Sequence, residues 1–172
     1  GPTLGLGEKP KSLPRPNPQG KVNPLLLAFA SGYTWIARGY AYDVKGLKEL
    51  IKEGIAHRGL AFLHVLQPCP TYNDLHTKEW FAPRLYRLEE EGYDPLVPPG
   101  LPPEALEARM ARFQQKALEW GERIPVGVFW KAELPTFEAR LKAYLPRYPE
   151  AYPARGPETP LDLEGLLQEF AL

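Results

Sequence analysis

The segment that most limits how this chain can fold is residues 60–73 (LAFLHVLQPCPTYN), an apolar run that ends in two prolines around the single cysteine. The run has the length and composition of a buried β-strand. Pro68 and Pro70 donate no amide hydrogen and restrict φ, so the strand ends there and the backbone on either side of Cys69 is stiff. In open α/β sheets, ligands bind beyond the carboxyl ends of the strands. Cys69 is therefore the first candidate for a functional side chain.

Three roles for Cys69 are compatible with the residue types around it. A lone cysteine is most often a small buried hydrophobic side chain. As a nucleophilic or redox thiol it would need a base, and His64 and His76 are the local candidates, although neither has a spacing that selects it. As a metal ligand it would be one of about four, because tetrahedral zinc and iron–sulfur clusters need that number. Cys69 cannot form a complete metal site alone.

The residues before Cys69 predict two successive pairs of a helix and a strand. A short helix over residues 25–30, capped by Asn23, leads to a strand within residues 33–41. A second helix, capped by Asp43, leads directly to the apolar strand described above. Apolar strands that alternate with helices indicate a parallel sheet with right-handed crossovers. Two strands are too few for a domain, so we expect further strands from upstream sequence or from another chain.

The pattern changes after residue 73, where predicted helices are separated by proline-rich segments. The predicted elements are a helix over 83–91, a linker over 93–102, an amphipathic helix over 103–120, a strand over 124–130, a helix over 135–144, a spacer over 148–157 and a helix over 161–170. We expect the strand over 124–130 at a sheet edge, because Pro125 lacks an amide donor. Residues 1–22 are rich in Gly, Pro and Lys and predict an extended arm or loop.

Composition limits the partners and the compartment. The chain has 21 Lys and Arg against 21 Asp and Glu, so its net charge attracts neither nucleic acid nor an anionic membrane. A single cysteine excludes an internal disulfide framework, and no apolar stretch approaches the roughly 20 residues of a membrane span. We therefore expect a soluble cytoplasmic protein. The 21 prolines among 172 residues and only two serines are typical of a thermophilic source.

No complete active site is visible in the sequence. It contains neither a GxGxxG nor a GxxxxGK[ST] phosphate-binding loop, and it has no HExxH pair and no GxSxG elbow. Most carboxylates lie beside Arg or Lys on predicted helix surfaces, where solvated faces are the ordinary explanation. Any catalysis would therefore need residues from elsewhere.

Several segments resemble the beta subunit of 2-oxoacid:ferredoxin oxidoreductases, from near the start of the chain to about residue 135. They are NPLLLA (23–28), GYTWIARG (32–39), LKELIKE (47–53), VLQPCPTYN (65–73), EWF (79–81), LEEEG (88–92) and IPVGVFW (124–130). Enzymes of this family, including the pyruvate and 2-oxoglutarate forms, decarboxylate a 2-oxoacid on thiamine diphosphate. They pass electrons through an iron–sulfur cluster to ferredoxin and transfer the acyl group to coenzyme A. The most specific match is the run over residues 67–73.

The resemblance implies a fold, a set of cofactors and two site residues. The fold would be α/β, with residues 1–73 forming part of a parallel-sheet domain that binds thiamine diphosphate and residues 74–172 forming a mainly helical extension. Cys69 corresponds to the fourth ligand of a [4Fe–4S] cluster, and the other three ligands lie near the amino terminus of the complete subunit. The Gly-Asp-Gly and Asn motif that binds Mg²⁺ and thiamine diphosphate is not in this sequence. Thr3 is the one residue expected near the diphosphate.

The resemblance covers roughly the carboxyl-terminal half of a beta subunit, and the chain is expected to be inert alone. Its expected partners are the alpha subunit, the amino-terminal half of the beta subunit and ferredoxin, with a 2-oxoacid and coenzyme A bound in the full enzyme. Two other classes stay open. The chain could be a non-catalytic interaction module derived from such a subunit, or a small thiol enzyme using Cys69 with His64 or His76.

Overall fold

A computed structural model describes residues 4–145, 147–148, 165 and 168. The described helices are α1 Pro24–Ala30, α2 Val44–Ala56, α3 Lys78–Phe81, α4 Pro103–Leu118 and α5 Phe137–Tyr144. The described strands are β1 Trp35–Tyr40, β2 Ala61–Leu66, β3 Leu85–Arg87, β4 Leu96–Val97 and β5 Ile124–Ala132. One compact unit ends at Leu134 and a second begins at Pro135. The spacer and final helix predicted over 148–157 and 161–170 lie almost wholly outside the described residues.

One mixed sheet organises the first unit. Its strand order is β2-β1-β5-β3, with β4 also paired to β5. β1 and β2 are parallel, from Trp35 beside Ala61 to Tyr40 beside Leu66, which confirms the predicted parallel pair. β5 is antiparallel to β1 and parallel to β3 and β4. The fold is therefore α/β, but the sheet is mixed where a wholly parallel one was predicted.

β5 lies inside the sheet, and the prediction of an edge strand was wrong. Toward β3, the amide of Ile124 and the carbonyl of Val126 make hydrogen bonds of 2.8 and 3.0 Å. Successive residues of a strand direct their backbone groups to opposite sides, so the nitrogen of Pro125 faces away from β3. Pairing with β1 on that side starts only at Gly127. The missing donor of Pro125 therefore costs no ladder hydrogen bond.

The helix predicted over residues 83–91 was also wrong. Leu85–Arg87 form β3, and Glu89–Glu91 form a single 3₁₀ turn that ends at Gly92, whose φ is +69°. The segment pairs in parallel with β5, and hydrogen bonds to a strand distant in sequence prevail over a short local helix. Leu88 is nevertheless buried, as the helical prediction required.

The predicted helix caps are confirmed. The side-chain oxygen of Asn23 accepts hydrogen bonds from the amides of Leu25 and Leu26, and that of Asp43 accepts one from Gly46. These bonds satisfy amides at the start of α1 and α2 that have no partner inside the helix. Among the described residues, no helix combines the length and the apolar character that a membrane span requires.

The apolar core lies mainly on one face of the sheet, in two clusters. The stripe predicted along residues 103–120 packs into the larger cluster, which includes Phe113, Phe129 and Trp130. The smaller cluster lies nearer the carboxyl end of β1 and consists of Tyr40, Leu66, Phe81, Ile124 and Val126. α2 packs on the opposite face, where its Gly54 approaches the ring of Trp35. This arrangement leaves the loop that follows β2 beside the smaller cluster.

Candidate functional site

Cys69 lies in the loop after β2, shortly beyond Leu66. Its carbonyl oxygen accepts hydrogen bonds from the amides of Asn73 at 2.8 Å and Tyr72 at 3.2 Å, so residues 69–73 form a tight turn. The side chain is half-buried and forms no disulfide. The thiol therefore lies beyond the carboxyl ends of a parallel strand pair, where the sequence analysis expected it. Its role as a ligand stays a prediction.

A cleft of about 390 Å³ opens beside Cys69. Its walls come from the end of β2, the loop that leads from β2 toward α3, the end of α3 and the amino-terminal segment. The lining residues are Leu4, His64, Val65, Leu66, Gln67, Cys69, Tyr72, Asn73, His76 and Phe81. Thr3 lies outside the described residues, but the residue directly after it, Leu4, is buried in the wall of this cleft. Leu4, Cys69 and both candidate histidines therefore line the same cleft.

The hydrogen bonds around His76 occupy both of its ring nitrogens. The side-chain oxygen of Asn73 accepts the amides of Leu75 and His76, so its NH₂ group is the one that faces Nδ1 of His76, at 3.1 Å. Nδ1 must then accept, and the proton lies on Nε2, which donates to Oε1 of Glu8 at 3.2 Å. The ring also stacks on Trp80 with centroids 4.3 Å apart. His76 is thus a packed ring with both nitrogens bonded to other side chains.

The amino-terminal loop is tied to the cysteine loop by further contacts. The hydroxyl of Ser12 donates to the carbonyl of Tyr72 at 2.5 Å, and the amide of Lys11 donates to Oδ1 of Asp74 at 2.8 Å. Asn17 closes the loop on itself, because its side-chain amide donates to three carbonyls near the start of the chain. Residues 4–22 therefore have no helix or strand, as predicted, but are fixed against the cleft.

His64 is the other histidine of the cleft, and it stays neutral near pH 7. Its Nδ1 accepts a hydrogen bond from Nε of Arg38 at 3.3 Å. Burial first, and then the guanidinium of Arg38, lower the pKa of His64 to about 4. Within the described residues, no hydrogen bond joins Sγ of Cys69 to either imidazole. The geometry therefore gives no support to a cysteine–histidine pair of the kind that activates a thiol.

The described residues offer at most part of a metal site at this cleft. Among them, no three His, Cys, Asp or Glu side chains lie close enough together to hold a metal ion. A half-buried thiol on a stiff loop fits one position of a cysteine-ligated cluster, and the remaining ligands would have to come from other residues.

A larger groove of about 680 Å³ lies beside α2 and β5. Four of its charged side chains are already paired with one another, since Arg87 bonds Asp43 and Nζ of Lys131 lies 2.8 Å from Oε1 of Glu53. It contains no cysteine or histidine. The smaller cleft, which contains Cys69 and two histidines, is therefore the better candidate for the functional site.

The sequence analysis missed Arg38 and Glu8. Arg38 is only 2% exposed, although it is charged, and its guanidinium lies against the rings of Trp120 and Phe129. A charged residue in the middle of an apolar strand was the available signal for it. Glu8 had no such signal, because its partner His76 is distant in sequence.

Together, the fold and the cleft define an α/β domain in which a cysteine follows a parallel strand pair. The family model for the carboxyl-terminal region of the pyruvate ferredoxin oxidoreductase beta subunit matches residues 69–145. A 2-oxoacid:ferredoxin oxidoreductase subunit beta from a Sulfolobus species is 56% identical over 156 residues, which cover 90% of this chain and 50% of the relative. The corresponding subunit of Saccharolobus solfataricus is 49% identical over 177 residues, covering 98% of this chain and 56% of the relative.

A solved structure shares the fold. A chain of the 2-oxoglutarate:ferredoxin oxidoreductase from Magnetococcus marinus matches with a TM-score of 0.69 and 23% identity, over 99% of this chain and 52% of that chain. The chain belongs to the family of 2-oxoacid:ferredoxin oxidoreductase beta subunits and corresponds to a carboxyl-terminal part of such a subunit. It spans about half the length of the curated relatives it matches.

Proposed function

We propose that this chain forms part of the beta subunit of an enzyme that oxidatively decarboxylates a 2-oxoacid, with coenzyme A as acyl acceptor and ferredoxin as electron acceptor. The relatives are named as oxidoreductases of a 2-oxoacid and ferredoxin, and the structural neighbour was solved with 2-oxoglutarate, coenzyme A and succinyl-CoA bound. Pyruvate and 2-oxoglutarate are the two candidate substrates. The partners would be the alpha subunit, the amino-terminal half of the beta subunit and ferredoxin, in the cytoplasm of a thermophilic organism.

Cys69 is the proposed fourth ligand of a [4Fe–4S] cluster. The observation that supports this role is the position of its thiol, half-buried in the cleft beyond β2 and held between two prolines. Such a cluster, when bound, would accept and release single electrons. The prolines limit movement of the sulfur. Leu66 and Phe81 give the cleft an apolar wall, which would restrict water around the metal.

The thiamine diphosphate would lie at the same end of the sheet. Residues 1–73 are the proposed end of the thiamine-diphosphate domain and residues 74–172 its extension, with Thr3 near the diphosphate. The support is that Leu4, the next residue, lines the Cys69 cleft. The Mg²⁺ and diphosphate ligands would come from residues outside this chain, so we expect the isolated chain to be inactive.

The test is a Cys69→Ser variant of the complete beta subunit, produced with the alpha subunit. We expect loss of cluster iron and of the electron paramagnetic resonance signal after reduction. Ferredoxin reduction with a 2-oxoacid and coenzyme A should fall by more than the roughly 10–100-fold typical of residues outside the ligand shell. Ser31→Ala, at the exposed end of α1, is the control and should keep both properties. A Cys69→Ser enzyme with full iron content and activity would refute the ligand role.

The two alternative functions give different results with the same proteins. An interaction module would contain no cluster and would bind its partner equally well after Cys69→Ala. A thiol enzyme would react with iodoacetamide at Cys69 far faster than free cysteine does at neutral pH. Activity with pyruvate and with 2-oxoglutarate, measured side by side, would identify the substrate.

A further inference from the structure

We propose that a second, smaller cavity of this chain binds an oxyanion, a carboxylate or phosphate group, against the buried guanidinium of Arg38. This Arg38 cavity has a volume of about 100 Å³. Its walls are the start of α1, the end of α4 and the middle of β1 and β2, and its polar lining residues are Lys21, Asn23, Arg38, His64 and Trp120. The proposal does not depend on the function proposed for Cys69.

The main argument is that Arg38 has no negative partner. Its Nε donates to Nδ1 of His64 at 3.3 Å and its Nη1 to the carbonyl of Pro125 at 3.4 Å, and both acceptors are neutral. A guanidinium has five N–H donors, and Nη2 makes no hydrogen bond within the described part of the chain. No carboxylate of those residues forms an ion pair with it. Removing a charge from water without a partner is costly, so the side chain is expected to have an anion opposite it.

A second cation lies at the same cavity. Nζ of Lys21 is 4.7 Å from the centroid of the Trp120 ring, and the guanidinium of Arg38 is 5.7 Å from it. Two like charges that share one aromatic ring repel each other, and an anion between them would turn repulsion into attraction. Burial first, and then the neighbouring Arg38, lower the pKa of Lys21, while Glu8 raises it. Within the described residues, Glu8 thus offsets part of this positive charge but forms no ion pair with Lys21 or Arg38.

The remaining polar groups decide which kind of ligand fits. Asn23 is fully used, because it caps α1 and its NH₂ group donates to the carbonyl of Ala117 at 2.7 Å. His64 is neutral, and its Nδ1 already accepts, so its Nε2 is a donor. The free groups are therefore donors and cations, which select an anion. A planar guanidinium suits carboxylate and phosphate oxygens, and the volume corresponds to about three water molecules of roughly 30 Å³ each.

The oxyanion could be part of a free small molecule or an Asp or Glu side chain from the rest of the subunit. To find a free ligand, the melting temperature of this chain is measured in sodium phosphate or sodium acetate against sodium chloride of equal ionic strength. We expect one of the two oxyanions to raise it by about 2–4 °C. The rise should be smaller in Lys21→Met and absent in Arg38→Met. Arg15→Met, which removes an exposed arginine, should respond as the unchanged chain does.

If neither oxyanion acts on this chain, the same variants are made in the complete beta subunit. A carboxylate side chain in the cavity predicts that Arg38→Met lowers the melting temperature of the complete subunit but not that of this chain. Equal effects of Arg38→Met in both proteins, together with no response to either oxyanion, would overturn the proposal. If Arg38→Met does not fold, the melting temperatures of Lys21→Met in this chain and in the complete subunit are compared instead. Lys21 is exposed, so this variant is expected to fold.

Discussion

His76 and Arg38 are both buried polar side chains next to the smaller core cluster, but only one of them has all its partners. His76 is 4% exposed, and each of its ring nitrogens bonds to another side chain. Arg38 is 2% exposed and bonds only to neutral acceptors, with no anion among the described residues. The burial of His76 is accounted for by the hydrogen bonds that its two nitrogens make with neighbouring side chains. A charged group without a counterion points to something that the described residues do not supply.

The largest expected effect is a difference between these two residues. His76→Ala should lower the free energy of unfolding by about 3 kcal/mol, because it removes a packed ring and the bonds that the ring makes to Oε1 of Glu8 and Nδ2 of Asn73. Arg38→Met should change it by less than about 1 kcal/mol, because it removes an uncompensated charge and keeps the volume. Urea denaturation of this chain measures both. Equal losses of stability in the two variants would show that Arg38 is as well compensated in the folded chain as His76.

The pH dependence of stability should show the lowered pKa of His64, which is caused first by burial and then by Arg38. The unfolded chain takes up the proton on His64 near its ordinary pKa, but the folded chain does so only at about 4. Protonation therefore favours the unfolded state, and the free energy of unfolding falls as the pH drops through this window. The contribution is about 2 kcal/mol after allowance for partial exposure of the ring.

The control for this measurement is His64→Gln, which should lose less stability between neutral pH and about pH 4 than the unchanged chain. The pKa of His57 is also lowered, first by burial and then by Lys131. His57 is present in both proteins, so their difference isolates His64. Identical pH profiles would show that the pKa of His64 is not lowered in the folded chain.

A smaller effect is expected at Asn73. Asn73→Ala removes the acceptor for two amides of the cysteine loop and the donor to His76. We expect a loss of about 1–2 kcal/mol, measured by urea denaturation, and faster hydrogen exchange of those amides. Stability equal to that of the unchanged chain would mean that the turn at Cys69 forms without this side chain.

The smallest effect is expected at Ser12. Ser12→Ala removes one hydrogen bond, from its hydroxyl to the carbonyl of Tyr72, at an exposed position. We expect a loss of about 0.5 kcal/mol in the same denaturation experiment. A loss as large as that of His76→Ala would show that the amino-terminal loop is held mainly by Ser12 and not by the bond between Glu8 and His76.

The elements that the sequence predicted correctly have strong local signals. Asn23 and Asp43 mark helix starts through hydrogen bonds to amides two or three residues away, so their effect needs no tertiary context. The prolines around Cys69 end β2 for an equally local reason. β3 and the interior position of β5 were missed because both depend on pairing between strands far apart in sequence.

The residues of the candidate site also fall into those that the sequence identified and those that only the fold revealed. The sequence identified Cys69 and the family, because a seven-residue run of unusual composition follows a predictable helix and strand. The contact between Glu8 and His76, residues 68 positions apart, could not be predicted from either segment alone. Thr3 lies outside the described residues, so its position near a diphosphate stays a prediction.

By itself, the sequence determined the caps, the end of β2, the position of the single thiol and membership in the 2-oxoacid:ferredoxin oxidoreductase beta subunits. These features depend on short-range backbone geometry and on an ordered run of residue types. Only the tertiary structure decided that β5 is central, that His76 is a buried ring with both nitrogens bonded and that Arg38 is buried without an anion from the described residues. Those features depend on which distant groups share a low-dielectric interior, and pairing and desolvation there are set by the whole fold.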